Sequence, residues 1–136
     1  MVDATLSLLK ADLYAIAATG MPLLLGGRCD CGNIFFPMQT FGCERCGRNG
    51  SALQPYSIEA RGRLRAAATV HVHADEKLKP PFVVGTIALD EGPIVRTLLD
   101  SPQDAVDIDT RVEGVLKRVI VDGIEMLDLR FRPVMG

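Results

Sequence analysis

Phe82-Val83-Val84-Gly85-Thr86-Ile87-Ala88-Leu89 is followed by Asp90-Glu91-Gly92-Pro93 and then by Ile94-Val95-Arg96-Thr97-Leu98-Leu99. Two apolar runs thus flank four turn-forming residues. The first run is nearly continuous, the pattern of a strand buried on both faces or placed at a barrel closure. Asp-Glu-Gly-Pro is a turn signal, so residues 82–99 read as a hairpin with a four-residue loop. Downstream, Val106 to Ile120 reads as another long strand, with Gly114 as a bend or bulge. Asp122-Gly123 is a hairpin dipeptide. Met126 to Phe131 reads as the last strand, and Pro133 ends it. Upstream, Arg61, Arg63 and Arg65 alternate with Gly62 and Leu64, and Val70 and Val72 with His71 and His73. About five strands with short turns and no helical period between them predict a small closed barrel. A Greek-key, five-stranded OB-fold barrel over 53–136 fits that count. An SH3-like barrel or a small sandwich shares the same pattern.

The first 22 residues read differently. Leu6, Leu9, Leu13 and Ile16 recur at helical spacing, which predicts an N-terminal amphipathic helix over 1–22. Asp3 would cap it, and Gly20 with Pro22 would stop it.

The segment between, 23–52, carries all four cysteines, and from Arg28 to about Gly50 it has too little apolar material to hold itself together. Cys29-Asp30-Cys31 is followed after an interval by Cys43-Glu44-Arg45-Cys46-Gly47. Two close pairs of thiolates suit a tetrahedral zinc ion, with each sulfur at ~2.3 Å. Gly32 and Gly47 follow the second cysteine of each pair and free the backbone to turn its amides toward sulfur. A rubredoxin-like zinc ribbon is expected, with Asn33 to Gly42 as its small hairpin. The first pair is one residue shorter than an ordinary knuckle, so its turn must be distorted. Iron suits four thiolates as well. Four protein ligands close the site, which makes a zinc ion at Cys29, Cys31, Cys43 and Cys46 structural.

Composition narrows the function. The 136 residues are 48% hydrophobic but 5% aromatic, lack Trp and carry a net charge of -2. Mean hydropathy is +0.20 and the pI is near 5.6. A mildly acidic chain with few aromatics fits poorly with nucleic-acid binding, which needs surplus cations and stacking rings. A nucleic-acid-binding OB or zinc-ribbon module is therefore the alternative rather than the first reading. Met21 to Gly27 is far shorter than the ~20 residues of a membrane span. Asp3 and Asp12 interrupt the first stretch and no basic segment precedes it, so no secretion signal is read. The expected compartment is cytoplasmic, with no membrane partner. The apolar surplus predicts an interface with another protein.

Catalytic sets are missing from the pattern. The cysteines are committed to metal. His71 and His73 alternate on one strand, near Asp75, and read as solvent-facing. Asp100, Asp104, Asp107 and Asp109 read as a solvated loop. No phosphate loop, nucleophile elbow or dinucleotide fingerprint occurs. Arg61, Arg63 and Arg65 form a basic stripe at period two. Its plainer account is an exposed face, or pairing with the acidic segment 90–109. The sharper one is contact with a partner or with an anionic ligand such as the phosphates of coenzyme A.

The order of motifs resembles a known family. Gly27-Arg28-Cys29, Cys31-Gly32, Phe36-Pro37 and Cys43-x-x-Cys46-Gly47 lead into Pro80-Pro81-Phe82-Val83-Val84, Glu91-Gly92 and Phe131-Arg132-Pro133. The chain is similar to the zinc-ribbon and OB-fold proteins associated with acyl-CoA enzymes, long grouped as a domain of unknown function. The resemblance covers nearly the whole chain. It implies a non-catalytic subunit of a hetero-oligomer with a thiolase-superfamily enzyme. The partner would supply the nucleophile, and coenzyme A would be bound with the partner.

Overall fold

The computed structural model describes residues 7–71, 82–100 and 107–134. The chain is mainly β. Its strands are β1 (Ser7–Leu8), β2 (Tyr14–Ile16), β3 (Pro22–Cys29), β4 (Ile34–Phe35), β5 (Leu53–Glu59), β6 (Arg61–Val70), β7 (Phe82–Leu89), β8 (Ile94–Leu99), β9 (Arg111–Val121) and β10 (Ile124–Pro133). A short 3₁₀ turn, Gly50–Ala52, precedes β5. Among the described residues no helix is long and apolar enough to cross a membrane.

β6 to β10 close a five-stranded barrel. β6 pairs with β7, β7 with β8, β8 with β10, β10 with β9 and β9 with β6. The β8–β10 contact is parallel and the others are antiparallel. This circuit is the OB-fold order. The hairpin of 82–99 forms as read, with Asp90–Pro93 as its loop and the Leu89 N–H donating to the Pro93 carbonyl at 2.9 Å. β7 is not buried on both faces. Val83, Ile87 and Leu89 are buried, whereas Phe82, Val84, Thr86 and Ala88 are half-buried. At the β9–β10 turn, Asp122 and Gly123 both take positive φ, 52° and 78°. That matches the twist of a two-residue hairpin.

Gly114 does not bend its strand. The β9–β10 ladder runs in register from Val121↔Ile124 to Val112↔Pro133. A Cβ at Gly114 would lie 2.6 Å from the Ala60 Cβ, 3.0 Å from Leu129 and 3.1 Å from Pro22. The glycine is there for close approach. The bulge lies in β6, where the register shifts between Leu64 and Ala66.

The N-terminal helix is not formed over the described residues. Ser7–Leu8 pairs in parallel with Met126–Leu127, and Tyr14–Ile16 pairs with Pro22–Leu24. Between these strands the N–H groups of Leu13 and Tyr14 both donate to the Lys10 carbonyl, at 2.9 and 3.3 Å. One turn of helix-like bonding therefore underlies the helical spacing of Leu9 and Leu13. The most buried side chain of the segment is Tyr14, 3% exposed, whereas Ile16 is 38% exposed. Gly20, at φ 88°, shapes the β2–β3 turn instead of ending a helix. Asp3 and Leu6 lie outside the described residues.

A second sheet holds β2, β3, β4 and β5, with β5 along the whole of β3 from Leu23↔Glu59 to Cys29↔Leu53. Tyr14, Leu24 and Ile58 from this sheet share one core with Leu64, Ile87, Val112 and Phe131 of the barrel. A small separate core contains Cys29, Phe35, Cys43 and Leu53, with Met38 against it.

Candidate metal centre and its surroundings

The four cysteines converge. Their Sγ atoms all lie within 4.8 Å of one another. Cys29 and Cys46 are 3.5 Å apart and Cys31 and Cys43 are 3.8 Å apart. A disulfide would bring sulfurs to ~2.05 Å. Ligands at ~2.3 Å from a tetrahedral ion stand about 3.8 Å from each other. The sulfurs thus fit a metal ion and not a pair of disulfides. Cys29 and Cys43 are buried, and Cys31 and Cys46 are exposed.

Two turns present them. In the first, the Gly32 N–H donates to the Cys29 carbonyl at 2.8 Å, and Cys29 N–H donates to Asn33. Gly32 sits at φ 95° and Gly47 at φ 79°. These left-handed conformations suit glycine and let the chain reverse within the short Cys-x-Cys. In the second turn the Gly47 N–H donates to the Cys43 carbonyl at 2.8 Å. The expected hairpin within Asn33 to Gly42 is replaced by β3–β4, in which Ile34–Phe35 folds back on Gly27–Arg28. Its strands are pressed together. A Cβ on Gly27 would meet the Phe35 ring at 2.3 Å.

Electrostatics at the sulfurs are uneven. The backbone N–H groups of Cys46 and Arg45 pull the Cys43 thiol down to about 6, against its burial. The Cys31 N–H also pulls on Cys29, but burial and the neighbouring sulfurs outweigh it and push Cys29 up to about 12. Asn33 Nδ2 donates to the Cys43 sulfur at 3.7 Å. Four sulfurs this close repel one another as thiolates, and a cation among them would offset that repulsion.

The other sequence-selected residues do not gather into a second site. Arg61, Arg63 and Arg65 are all exposed. The alternation with buried Gly62 and Leu64 holds through Arg65, which occupies the bulge, and ends at the exposed Ala66. Arg63 Nη1 donates to the Asp109 carbonyl at 3.1 Å. Arg65 lies 3.7 Å from the Asp109 carboxylate. Arg111 makes a bidentate pair with Asp90 at 2.6 and 2.8 Å. That pairing holds the Asp90 carboxyl below the usual carboxylate range, with Arg63 and Arg61 adding to it. Asp100 pairs with Lys117 at 2.7 Å, and Asp107 is exposed. His71 is exposed beyond the end of β6. His73, Asp75 and Asp104 lie outside the described residues.

Residues 57–117 match the family described as "ChsH2, C-terminal OB-fold domain". A DUF35 domain-containing scaffold protein of Pyrococcus furiosus is 24% identical over 117 residues, covering 82% of this chain and 84% of the relative. A solved structure described as "Ltp2-ChsH2(DUF35) aldolase" has the same fold. Its TM-score is 0.62 at 22% identity, over 83% of this chain and 86% of that chain. Over most of its length the chain is similar to DUF35 proteins, and its OB-fold part matches the ChsH2 family.

The chain also contains polar groups that its sequence pattern does not reveal. Tyr14 Oη–H donates to Asp128 Oδ1 at 2.8 Å. Arg130 Nε donates to Asp128 Oδ2 at 2.8 Å. Asp128 is 5% exposed. Burial first, then the Asp128 hydrogen bond, raises the Tyr14 hydroxyl above its ordinary value. The Tyr56 hydroxyl donates to Glu91 Oε1, while Glu91 Oε2 accepts from the Glu59 N–H at 3.1 Å. Glu91 thereby ties β5 to the loop of the β7–β8 hairpin. An Asp one residue from Leu127 and Leu129 offers a weak signal at best, since Leu-Asp-Leu is also ordinary strand alternation.

Proposed function

We propose that this chain is a zinc-bearing, non-catalytic subunit of a thiolase-superfamily acyl-CoA enzyme. The specific assignment is the small subunit of benzoylsuccinyl-CoA thiolase, which cleaves a C–C bond with coenzyme A in anaerobic toluene degradation. The four-sulfur cluster carries the reading. Four protein ligands fill a tetrahedral shell, so the ion holds the ribbon and takes no substrate. Cys29, Cys31, Cys43 and Cys46 are the proposed zinc ligands. When bound, zinc supplies a fixed positive charge that gathers the two cysteine-bearing turns.

The name of the Pyrococcus furiosus relative, a scaffold protein, supports a docking role. So do exposed apolar side chains at Phe41, Ile94, Ile120 and Ile124, which are 84%, 67%, 73% and 63% exposed. Singly such residues are ordinary. As a set on a small chain they favour a partner. The motif Phe35-Phe36-Pro37 through Cys43-Glu44-Arg45-Cys46 is what favours the benzoylsuccinyl-CoA enzyme. Arg61, Arg63 and Arg65 are proposed to contact the partner or its coenzyme A. Segments 23–52 and 53–136 are proposed as the ribbon and OB parts of a cytoplasmic complex.

A second reading is an aldolase partner, favoured by the aldolase description of the structural neighbour. Reconstitution separates the two. The chain should co-purify with the benzoylsuccinyl-CoA thiolase large subunit, and thiolysis should collapse when it is omitted. A thiolase fully active alone refutes the proposal. Complex formation with an aldolase and not with the thiolase supports the second reading. Elemental analysis should find about one zinc per chain. Unchanged coenzyme A affinity of the complex after Arg63→Ala rules out a contact role for that residue.

A further inference from the structure

The ladder between β8 and β10 has a single register pair, Leu99↔Phe131. Elsewhere these strands part, and a groove of about 310 Å³ opens at the seam. Its walls include Leu24, Phe36, Phe82, Val84, Leu98 and Phe131, contributed by both sheets. Lys10 and Arg96 also line it. Both are exposed. Among the described residues neither cation has an acidic partner, although Arg65, Arg111, Lys117, Arg118, Arg130 and Arg132 all do. The acid on the lining, Asp128, is already matched by Arg130 and by the Tyr14 hydroxyl. The groove is therefore apolar in its walls and positive in its unspent charge.

We infer that this groove binds a small organic anion with an apolar body, its head on Lys10 and Arg96. The volume sits at the lower end of the ~300–1,000 Å³ of ligand sites, which favours a short acyl or aryl acid over a larger molecule. Burying the body against aliphatic and aromatic walls supplies attraction, and the two cations orient the head. The inference stands apart from the proposed complex, because it needs no partner.

The test titrates the metal-loaded full chain with octanoate and with octan-1-ol, following backbone amide resonances and heats. Octanoate should saturate and shift amides at Leu24, Val84, Leu98 and Leu129, and bind more tightly than the alcohol. Lys10→Ala/Arg96→Ala should weaken octanoate about tenfold and leave the alcohol unchanged. Val84→Trp, which fills the groove, should abolish both. Leu98→Trp at the same groove serves if Val84→Trp loses its metal or its fold. Octanoate that fails to saturate, shifts amides elsewhere, or binds no better than octan-1-ol overturns the inference. So does unchanged binding in a folded, groove-filled variant. Loss of partner assembly in that variant, with octanoate silent, identifies a protein segment as the occupant and overturns it too.

Discussion

Tyr14→Phe tests how the N-terminal segment is held to the barrel. The ring stays and only the hydroxyl is lost, so no sizeable cavity opens. Lost are the donation to Asp128 Oδ1 at 2.8 Å, shared with the Leu127 carbonyl at 3.3 Å, and the acceptance from the Lys10 N–H at 3.1 Å. A hydrogen bond to a charged group contributes about 1.5–3 kcal/mol, and a neutral one about 0.5–1.5 kcal/mol. Lys10 is exposed, so water replaces the second partner and its share is small. Asp128 is 5% exposed and loses a donor that water replaces poorly. The expected loss is about 2 kcal/mol. At this size a midpoint moves about 4 °C per kcal/mol, so Tm should fall about 8 °C. The pH dependence gives an independent reading. Below pH ~10 the hydroxyl is protonated in both states and contributes no slope. Above it the unfolded chain releases the proton while the native state, with its raised value, keeps it. Stability therefore falls as pH rises, by about 1.4 kcal/mol per pH unit for one group, until the native value is reached. Tyr14→Phe should remove one proton from that alkaline slope. Tyr56, raised chiefly by its bond to Glu91, leaves a residual slope of the same sign. Thermal and urea unfolding between pH 7 and pH 11 measure both effects. A midpoint shift under about 2 °C with an unchanged alkaline slope would refute the reasoning, because Asp128 would then be hydrated.

Cys43→Ser removes a buried ligand. Metal content should drop well below one ion per chain by elemental analysis, with amide protection lost at Cys29 and Leu53. Gly114→Val forces atoms apart at Ala60, Leu129 and Pro22 and should cost about 2–3 kcal/mol in urea unfolding. Gly123→Ala meets nothing within 4 Å but strains a φ of 78°, so its cost should be nearer 1 kcal/mol. Asp90→Asn breaks a half-exposed pair with Arg111 and should leave the neutral-pH midpoint within about 2 °C. Asp90 is held below its ordinary value, so its contribution is present above pH ~4 and is lost as pH falls through the native value. The variant should flatten that acid limb.

The parts legible in the sequence are those set by local chemistry. Asp90–Pro93 and Asp122-Gly123 fix turns whatever surrounds them, and alternation then pairs the strands on either side. Cysteine spacing predicts a shared ion because only a few residues separate each pair. The N-terminal segment departs from its sequence pattern for the opposite reason. Ser7–Leu8 is a strand only because β10, at the other end of the chain, offers an edge. Leu9 and Leu13 straddle a single turn, so the helical period was genuine and too short to be a helix. Gly114 failed in the same way, since its constraint comes from Pro22 and Ala60 and not from β9. The Tyr14–Asp128 bond and the seam groove join residues of distant strands, and no local pattern marks them.

The two cores divide the labour of the molecule. The larger runs through the barrel and into the near half of β3 and β5, by way of Leu24 and Ile58. The smaller holds two of the sulfurs, Phe35 and Leu53. Glu91 and the contact of Gly114 with Pro22 and Ala60 pin the sheets together on the side of the larger core. Removal of a metal held by the four sulfurs is therefore expected to loosen the far end of β3 and the loop that exposes Phe41 before the barrel. That loop is also tied by the Gly50 N–H, which donates to the Thr40 carbonyl at 2.9 Å, and by the Met38 N–H, which donates to the Leu25 carbonyl at 3.3 Å. Its local bracing is Gln39, which accepts from the N–H groups of Phe41 and Gly42 and donates to the Gly42 carbonyl. An ion held by the four sulfurs would act first on the smaller core and on the surface around Phe41, and only through β3 and β5 on the barrel.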